Sequence, residues 1–152
     1  VEWAEKLGMK RYKIASRCIG QQDLFDAVGE TGKDMIVSLG MWHDANPTAP
    51  LPTHIKSKGK VDFLYCVAKY PTMPEDVDFD KIDFKDKYSG FSDHTIGMNA
   101  PLIAVARGAR ILEKHFTLSK KMHGPDHQGS MEPNELRQLV KSAREFEEFM
   151  SK

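Results

Sequence analysis

The sequence predicts an α/β fold built on about five parallel strands. Three observations carry that reading. Short apolar runs recur along the chain, helical patterns separate several of them, and the runs are apolar on both faces. MIVSL (35–39) has no polar residue before Ser38, as expected of a strand covered on both sides. Strands alternating with helices imply a parallel sheet with crossover connections. Pattern alone leaves two architectures open. Five strands are too few for the usual eight-stranded barrel, so the sheet is either part of a barrel or an open doubly wound sheet.

The elements follow in order. Residues 2–7 read as the end of a helix stopped by Gly8. Residues 12–16 (YKIAS) form a first strand. Residues 22–28 place Leu24, Phe25 and Val28 at helical spacing, with Gly29 as the stop. Residues 35–39 and 61–67 are the second and third strands, and 89–93 contain a short fourth. Between them, 41–60 hold Pro47, Pro50 and Pro52 without an apolar stripe, which predicts a long loop with at most one short helix. Asn99 is expected to cap a helix running through Leu102, Ile103, Val105 and Ala106 to Gly108. Residues 110–115 form a fifth strand. Pro133 opens a last helix, with Leu136, Leu139, Val140, Ala143, Phe146 and Met150 along one face. No repeat divides the chain, and 1–152 read as a single domain.

Composition narrows the function. The chain has 152 residues, with 40% hydrophobic and 29% charged, and its 22 Lys plus Arg balance 22 Asp plus Glu. No basic excess points to nucleic acid or an anionic membrane, so any anion site must be built locally. No apolar run approaches the roughly 18 residues of a membrane span. The start of the chain lacks the pattern of a signal peptide, and Cys18 and Cys66 match no zinc spacing. The expected setting is the cytoplasm, with two free thiols.

Every predicted strand ends in polar or ionisable residues: Lys13 and Ser16, Ser38, Lys69 and Tyr70, Ser92-Asp93-His94, and Glu113-Lys114-His115. In parallel α/β folds, sites gather at the carboxyl ends of the strands. His94 and His115 end consecutive strands, which lie about 4.8 Å apart when paired. Two imidazoles so placed can share a divalent ion and leave positions open for chemistry. Lys13 and Lys114 are candidate anion binders, and Ser16, Ser38 and Ser92 can donate to phosphate or carboxylate oxygens. His43, His54, His123 and His127 fall in loops. No Walker loop, GxGxxG or GxSxG elbow occurs.

The stretches GFSDHTIG (90–97), GARILEKHFTL (108–118) and GPDHQGSMEPNEL (124–136) closely resemble the sialic acid synthase family, in order and in spacing. That family includes N-acetylneuraminate, legionaminate and pseudaminate synthases and related spore-coat polysaccharide proteins. YKIAS (12–16), MIVSLGM (35–41) and YCVAKYP (65–71) fall where the family has its earlier strands. The resemblance implies a partial TIM barrel of about five parallel βα units corresponding to strands 4–8, with self-association completing it. The implied reaction is condensation of phosphoenolpyruvate with an N-acyl-mannosamine-type sugar. Its product is a nine-carbon 2-keto acid, and its cofactor a divalent metal, Mn or Mg. By position, His94 and His115 match the metal ligands. Lys13, Ser16, Ser38 and Ser92 match groups that bind phosphoenolpyruvate. Tyr70 and Asp126 match positions near the sugar, and with Lys13 they are the expected catalytic residues.

The match has departures. Cys18 stands where the family carries a glutamate, Ala68 where it has Asn or Ser, and the chain begins near the family's fourth strand. The half barrel would expose two sheet edges and an apolar inner face, so a homo-oligomer is expected. The alternative function is a non-catalytic metal- or sugar-phosphate-binding or interaction module derived from the same family.

Overall fold

The alternation of side chains along each strand decides where everything else lies. In the computed structural model, which describes residues 1–150, five short strands carry the chain: β1 (Arg11–Ile14), β2 (Asp34–Ser38), β3 (Val61–Cys66), β4 (Gly90–Asp93) and β5 (Ile111–Lys114). All neighbouring pairs are parallel, in the order β1-β2-β3-β4-β5. This order separates the two architectures left open by pattern. A doubly wound sheet reverses its strand order at a switch point, whereas a barrel wall adds strands sequentially. The sheet is therefore a half barrel, a partial TIM barrel with β1 and β5 as free edges.

One face carries the core. Tyr12, Ile14, Met35, Val37, Tyr65 and Phe91 pack with Phe25 and Val28 of helix α2 (Gln22–Glu30) and with Ala104 of helix α3 (Asn99–Ala106). The other face is the inner wall. Register aligns Ser38, Leu64, Gly90 and Ile111 in one row, and Cys66, Ser92 and Glu113 in the next. Glycine at position 90 is required by this packing, because a Cβ there would overlap the Ile111 carbonyl.

Only two of the four crossovers are helical. α2 joins β1 to β2, and α3 joins β4 to β5. The expected loop between β2 and β3 contains one short 3₁₀ turn, His43–Ala45. It is strapped down by side chains. Lys87 Nζ donates to the Pro47 carbonyl at 2.6 Å and to that of Ala49, Tyr88 Oη donates to Pro47, and Trp42 Nε1 donates to Pro50 at 2.7 Å. Between β3 and β4 two further 3₁₀ turns, Pro74–Asp76 and Phe79–Lys81, take the helix's place. Their neighbours Val77, Ile82, Phe84 and Tyr88 are buried, so irregular chain covers the sheet where a helix would otherwise lie.

Two helix boundaries differ from expectation. α2 runs through Gly29 and ends before Gly32, which adopts φ +72°. Gly29 is needed for space instead, since a Cβ would come within 2.5 Å of the Lys56 carbonyl oxygen. Asn99 is the first residue of α3 rather than its cap, and Met98 holds the capping position without a side-chain bond. The short helix α1 (Glu2–Lys6) precedes Gly8, whose φ is +69°. The last helix, α4 (Pro133–Met150), buries Leu139 but leaves Val140, Phe146 and Met150 exposed. Among the described residues, no helix is long and apolar enough to cross a membrane.

Candidate functional site

A cavity of about 510 Å³ opens at the carboxyl ends of the strands, and Lys13, Ser16, Ser38, Tyr70, Ser92, His94, His115 and Asp126 all contribute to its walls. Three of these converge on one residue. Ser92 Oγ donates to Glu113 Oε2 at 2.5 Å, Ser38 Oγ donates to the same oxygen at 3.1 Å, and Lys13 Nζ lies 3.2 Å from Oε1. β1, β2 and β4 thus each send one donor to the same point on β5. Burial, the largest single influence on Glu113, disfavours its charged form. The Ser92 hydroxyl, the Lys13 ammonium and the Ser38 hydroxyl together outweigh it and hold the carboxyl below the usual carboxylate range.

Glu113 was not among the expected site residues. A signal for it exists in the sequence, because a residue two before His115 on a strand faces the same side as His115. The strand-end lysine beside it behaves differently. Lys114 borders the cavity, but on the opposite face of the strand its side chain is only 5% exposed and is paired to the fully buried Asp93 side chain at 2.6 Å. It is therefore not free to meet an anion in the cavity. The alternation that brings Glu113 inward is what turns Lys114 away.

The two histidines meet as adjacent strand ends. Their ring centroids are 5.5 Å apart with the planes at 88°. His94 Nδ1 lies 2.7 Å from the Val67 carbonyl oxygen, which can only accept a hydrogen bond. The proton of the neutral ring is thereby held on Nδ1, and the Nε2 lone pair is left available. Burial pushes the His94 pKa below its ordinary value, against the Val67 carbonyl, which works the other way. Neutral imidazole with one free nitrogen is the form that binds a metal. Among the described residues no third His, Cys, Asp or Glu joins them as a ligand cluster. A cation held here would keep most of its coordination positions for water or substrate.

Tyr70 closes the group from above. Its ring stacks on His94 with centroids 4.0 Å apart and meets His115 edge-on at 5.4 Å. Burial raises its phenol pKa, and the nearby Cys66, Asp126 and Glu113 add to the effect. Asp126 also lines an adjoining cleft with Tyr70, His94 and His115. Ser16 lies at the cavity wall but is turned to structural work: its Oγ accepts from Gly40 N at 3.0 Å and contacts Cys66 Sγ at 3.6 Å. Cys66 is buried, and burial raises its thiol pKa. Ala68 lines the cavity without a polar group, and Cys18 is absent from its walls. His127 is held by Thr117 Oγ1 at 2.7 Å, and His54 Nε2 lies 3.1 Å from the Ile19 carbonyl, so neither joins the histidine pair.

A second cleft, about 550 Å³, lies between the inner wall of the sheet and α4 and is mainly apolar, with Ile36, Leu64, Ile111, Leu136, Leu139 and Val140 on its walls. Lys13 and Glu113 border both this cleft and the strand-end cavity, whereas of the two the serines and histidines line only the strand-end cavity.

Comparison with known proteins agrees with this fold. The chain is 35% identical to an N,N'-diacetyllegionaminic acid synthase of Campylobacter jejuni, over 99% of its own length and 47% of the relative's. It is 33% identical to the human N-acetylneuraminate-9-phosphate synthase, over 95% of its own length and 42% of that protein. Its fold superposes on the crystal structure of an N-acetylneuraminic acid synthetase from Leptospira borgpetersenii with a TM-score of 0.82 and 32% identity, covering 97% of this chain and 53% of that one. The chain thus spans about half the length of the relatives it matches. Residues 1–152 match the NeuB family throughout, and with five sequential parallel strands gathering their polar residues at one end, the chain belongs to that family.

Proposed function

We propose that the strand-end cavity binds phosphoenolpyruvate beside the aldehyde of an N-acyl-mannosamine-type sugar and serves their condensation to a nine-carbon 2-keto acid. The observation that carries this reading is the convergence of Lys13, Ser38 and Ser92 on a single carboxylate, next to a histidine pair with a free Nε2. Three donors that already hold one carboxylate are suited to hold a phosphate or carboxylate of the substrate.

A divalent cation, Mn or Mg, fits His94 and His115, and when bound it would supply Lewis acidity at the sugar's carbonyl oxygen. The chain's own residues do the rest. Lys13 and the two serines fix the enol phosphate so that its terminal carbon faces the aldehyde. Tyr70 shields the imidazoles from bulk water and, with Asp126, stands where the sugar would enter. The enol carbon bonds to the aldehyde carbon, whose oxygen takes a proton and becomes a hydroxyl. Water adds to C2 of the former enol, and phosphate leaves C2 by C–O cleavage onto the donors that bound it, so that the water oxygen becomes the 2-keto oxygen. Two unpaired cysteines are consistent with a reducing, cytoplasmic setting. The open edges of β1 and β5 favour assembly with a second copy or with the remainder of a barrel wall.

The test is phosphate release from phosphoenolpyruvate in the presence of N-acetylmannosamine and Mn. Turnover that disappears in His115→Ala is the expected result. Mn binding without turnover would favour the second reading, a non-catalytic binding module. Ala68 supports that alternative, because the resemblance implies a polar residue there and alanine lines the cavity without one. Mn affinity unchanged in the double variant His94→Ala/His115→Ala would remove the shared cation site.

A further inference from the structure

We infer that the buried ion pair Asp93–Lys114 is a positioning device that sets the spacing and angle of His94 and His115. The inference rests on the reading of those histidines as a cation site.

The parallel ladder of β4 and β5 runs in register from Gly90↔Ile111 to Asp93↔Lys114 and ends there. Each histidine lies one residue beyond the last pair, where the ladder no longer constrains it. From that point the chains separate, one toward α3 and the other into the loop before α4. Two ligands of one ion need their nitrogens within a few tenths of an ångström of the right place. The His115 carbonyl accepts from Met131 N at 2.9 Å, which ties that end toward the start of α4 and not to His94. Something other than the backbone ladder must therefore set the two ends relative to each other.

The Asp93–Lys114 pair meets that need. Lys114 Nζ donates to Asp93 Oδ2 at 2.6 Å and also to the Thr95 carbonyl. Asp93 Oδ1 accepts from the Thr95 amide at 2.8 Å. The backbone on both sides of His94 is therefore tied, through two side chains, to the residue that precedes His115. The strong hydrogen bonds of His94 run the other way: Nδ1 to Val67, and its carbonyl accepting from Thr72 N at 3.0 Å. Those contacts anchor it to the β3 side, and the ion pair anchors it to β5.

Stability is a poor explanation for the pair. Its side chains are 5% and 0% exposed, and a buried ion pair is often replaced by apolar groups of similar volume at no loss of stability. Two apolar groups cannot reproduce the fixed distance and direction of a charge-assisted hydrogen bond. Groups that hold metal ligands in place typically alter affinity by about 10- to 100-fold when removed.

The experiment measures free Mn by its electron paramagnetic resonance signal while the chain is titrated, and follows folding by thermal melting. Asp93→Leu/Lys114→Met is expected to melt cooperatively, close to the parent, and to bind Mn about tenfold more weakly. If that variant does not melt cooperatively, Asp93→Asn/Lys114→Met decides with the same expectation, because it keeps an acceptor for the Thr95 amide. Parental Mn affinity in a folded variant overturns the positioning role and leaves the cation site standing. Loss of cooperative melting in both variants assigns the pair to stability and also overturns it. A parent that does not bind Mn, or binding that survives His94→Ala/His115→Ala, overturns the cation reading and the positioning role together.

Discussion

Glu113 occupies the donors that the proposed function assigns to an anion. Its carboxylate holds Ser38, Ser92 and Lys13 in one geometry. An arriving phosphate must share or take over those donors and must tolerate a negative charge beside it. Two unit charges about 4 Å apart in a partly buried setting repel by about 4 kcal/mol at an effective dielectric constant near 20, and less where water intrudes. Glu113→Gln keeps the shape and an acceptor oxygen but removes the charge. Calorimetric titration with inorganic phosphate should show about tenfold tighter binding in that variant. Weaker binding would instead mean that the ionised carboxylate is needed to organise the donors.

At the scale of elements, the site depends on how closely β4 and β5 approach. Gly90 lies opposite Ile111 at the start of that pairing, and its missing side chain is what permits the contact. Gly90→Ala should lower stability by about 1–3 kcal/mol, as overpacked positions do. A urea melt would register it as a lower midpoint with an unchanged slope. Because His94 and His115 end the same two strands, Mn affinity should fall as well. A fully parental melt would mean that the two strands separate at that point at little cost. The irregular crossovers on either side of β3 carry the complementary lesson. Proline-rich chain strapped by Lys87 and Tyr88 covers the sheet there without helical periodicity, so no sequence pattern announces its packing.

At the scale of the whole molecule, the half barrel leaves both of its edges open. Trp3 and Leu7, in and just beyond α1, are 82% and 83% exposed, and Phe149 at the end of α4 is 78% exposed. The apolar cleft beside β5 adds to this unpartnered surface. Sheet edges and apolar patches of this kind drive association. Sedimentation equilibrium should therefore give an average mass that rises with protein concentration. A single monomeric mass across the concentration range would count against assembly through these edges.

Much of this protein is written locally. The strand runs, the parallel class and the gathering of polar residues at strand ends all follow from periodicity and residue type, and the resemblance carried by 90–97, 108–118 and 124–136 named the family. The helix boundaries near Gly29 and Asn99 depart from the local pattern because close chain approach and capping geometry are not local properties. What only the tertiary structure decided is which partner each polar side chain takes. Ser38 reaches Glu113 across 75 residues of sequence and Ser92 reaches it across 21, and Lys114 takes Asp93 as its partner. Those choices depend on the register between strands, which no single segment contains. The adjacency of the two histidines follows from the order of the strands, whereas the partners of Glu113 and Lys114 follow only from the register that sets the strands side by side.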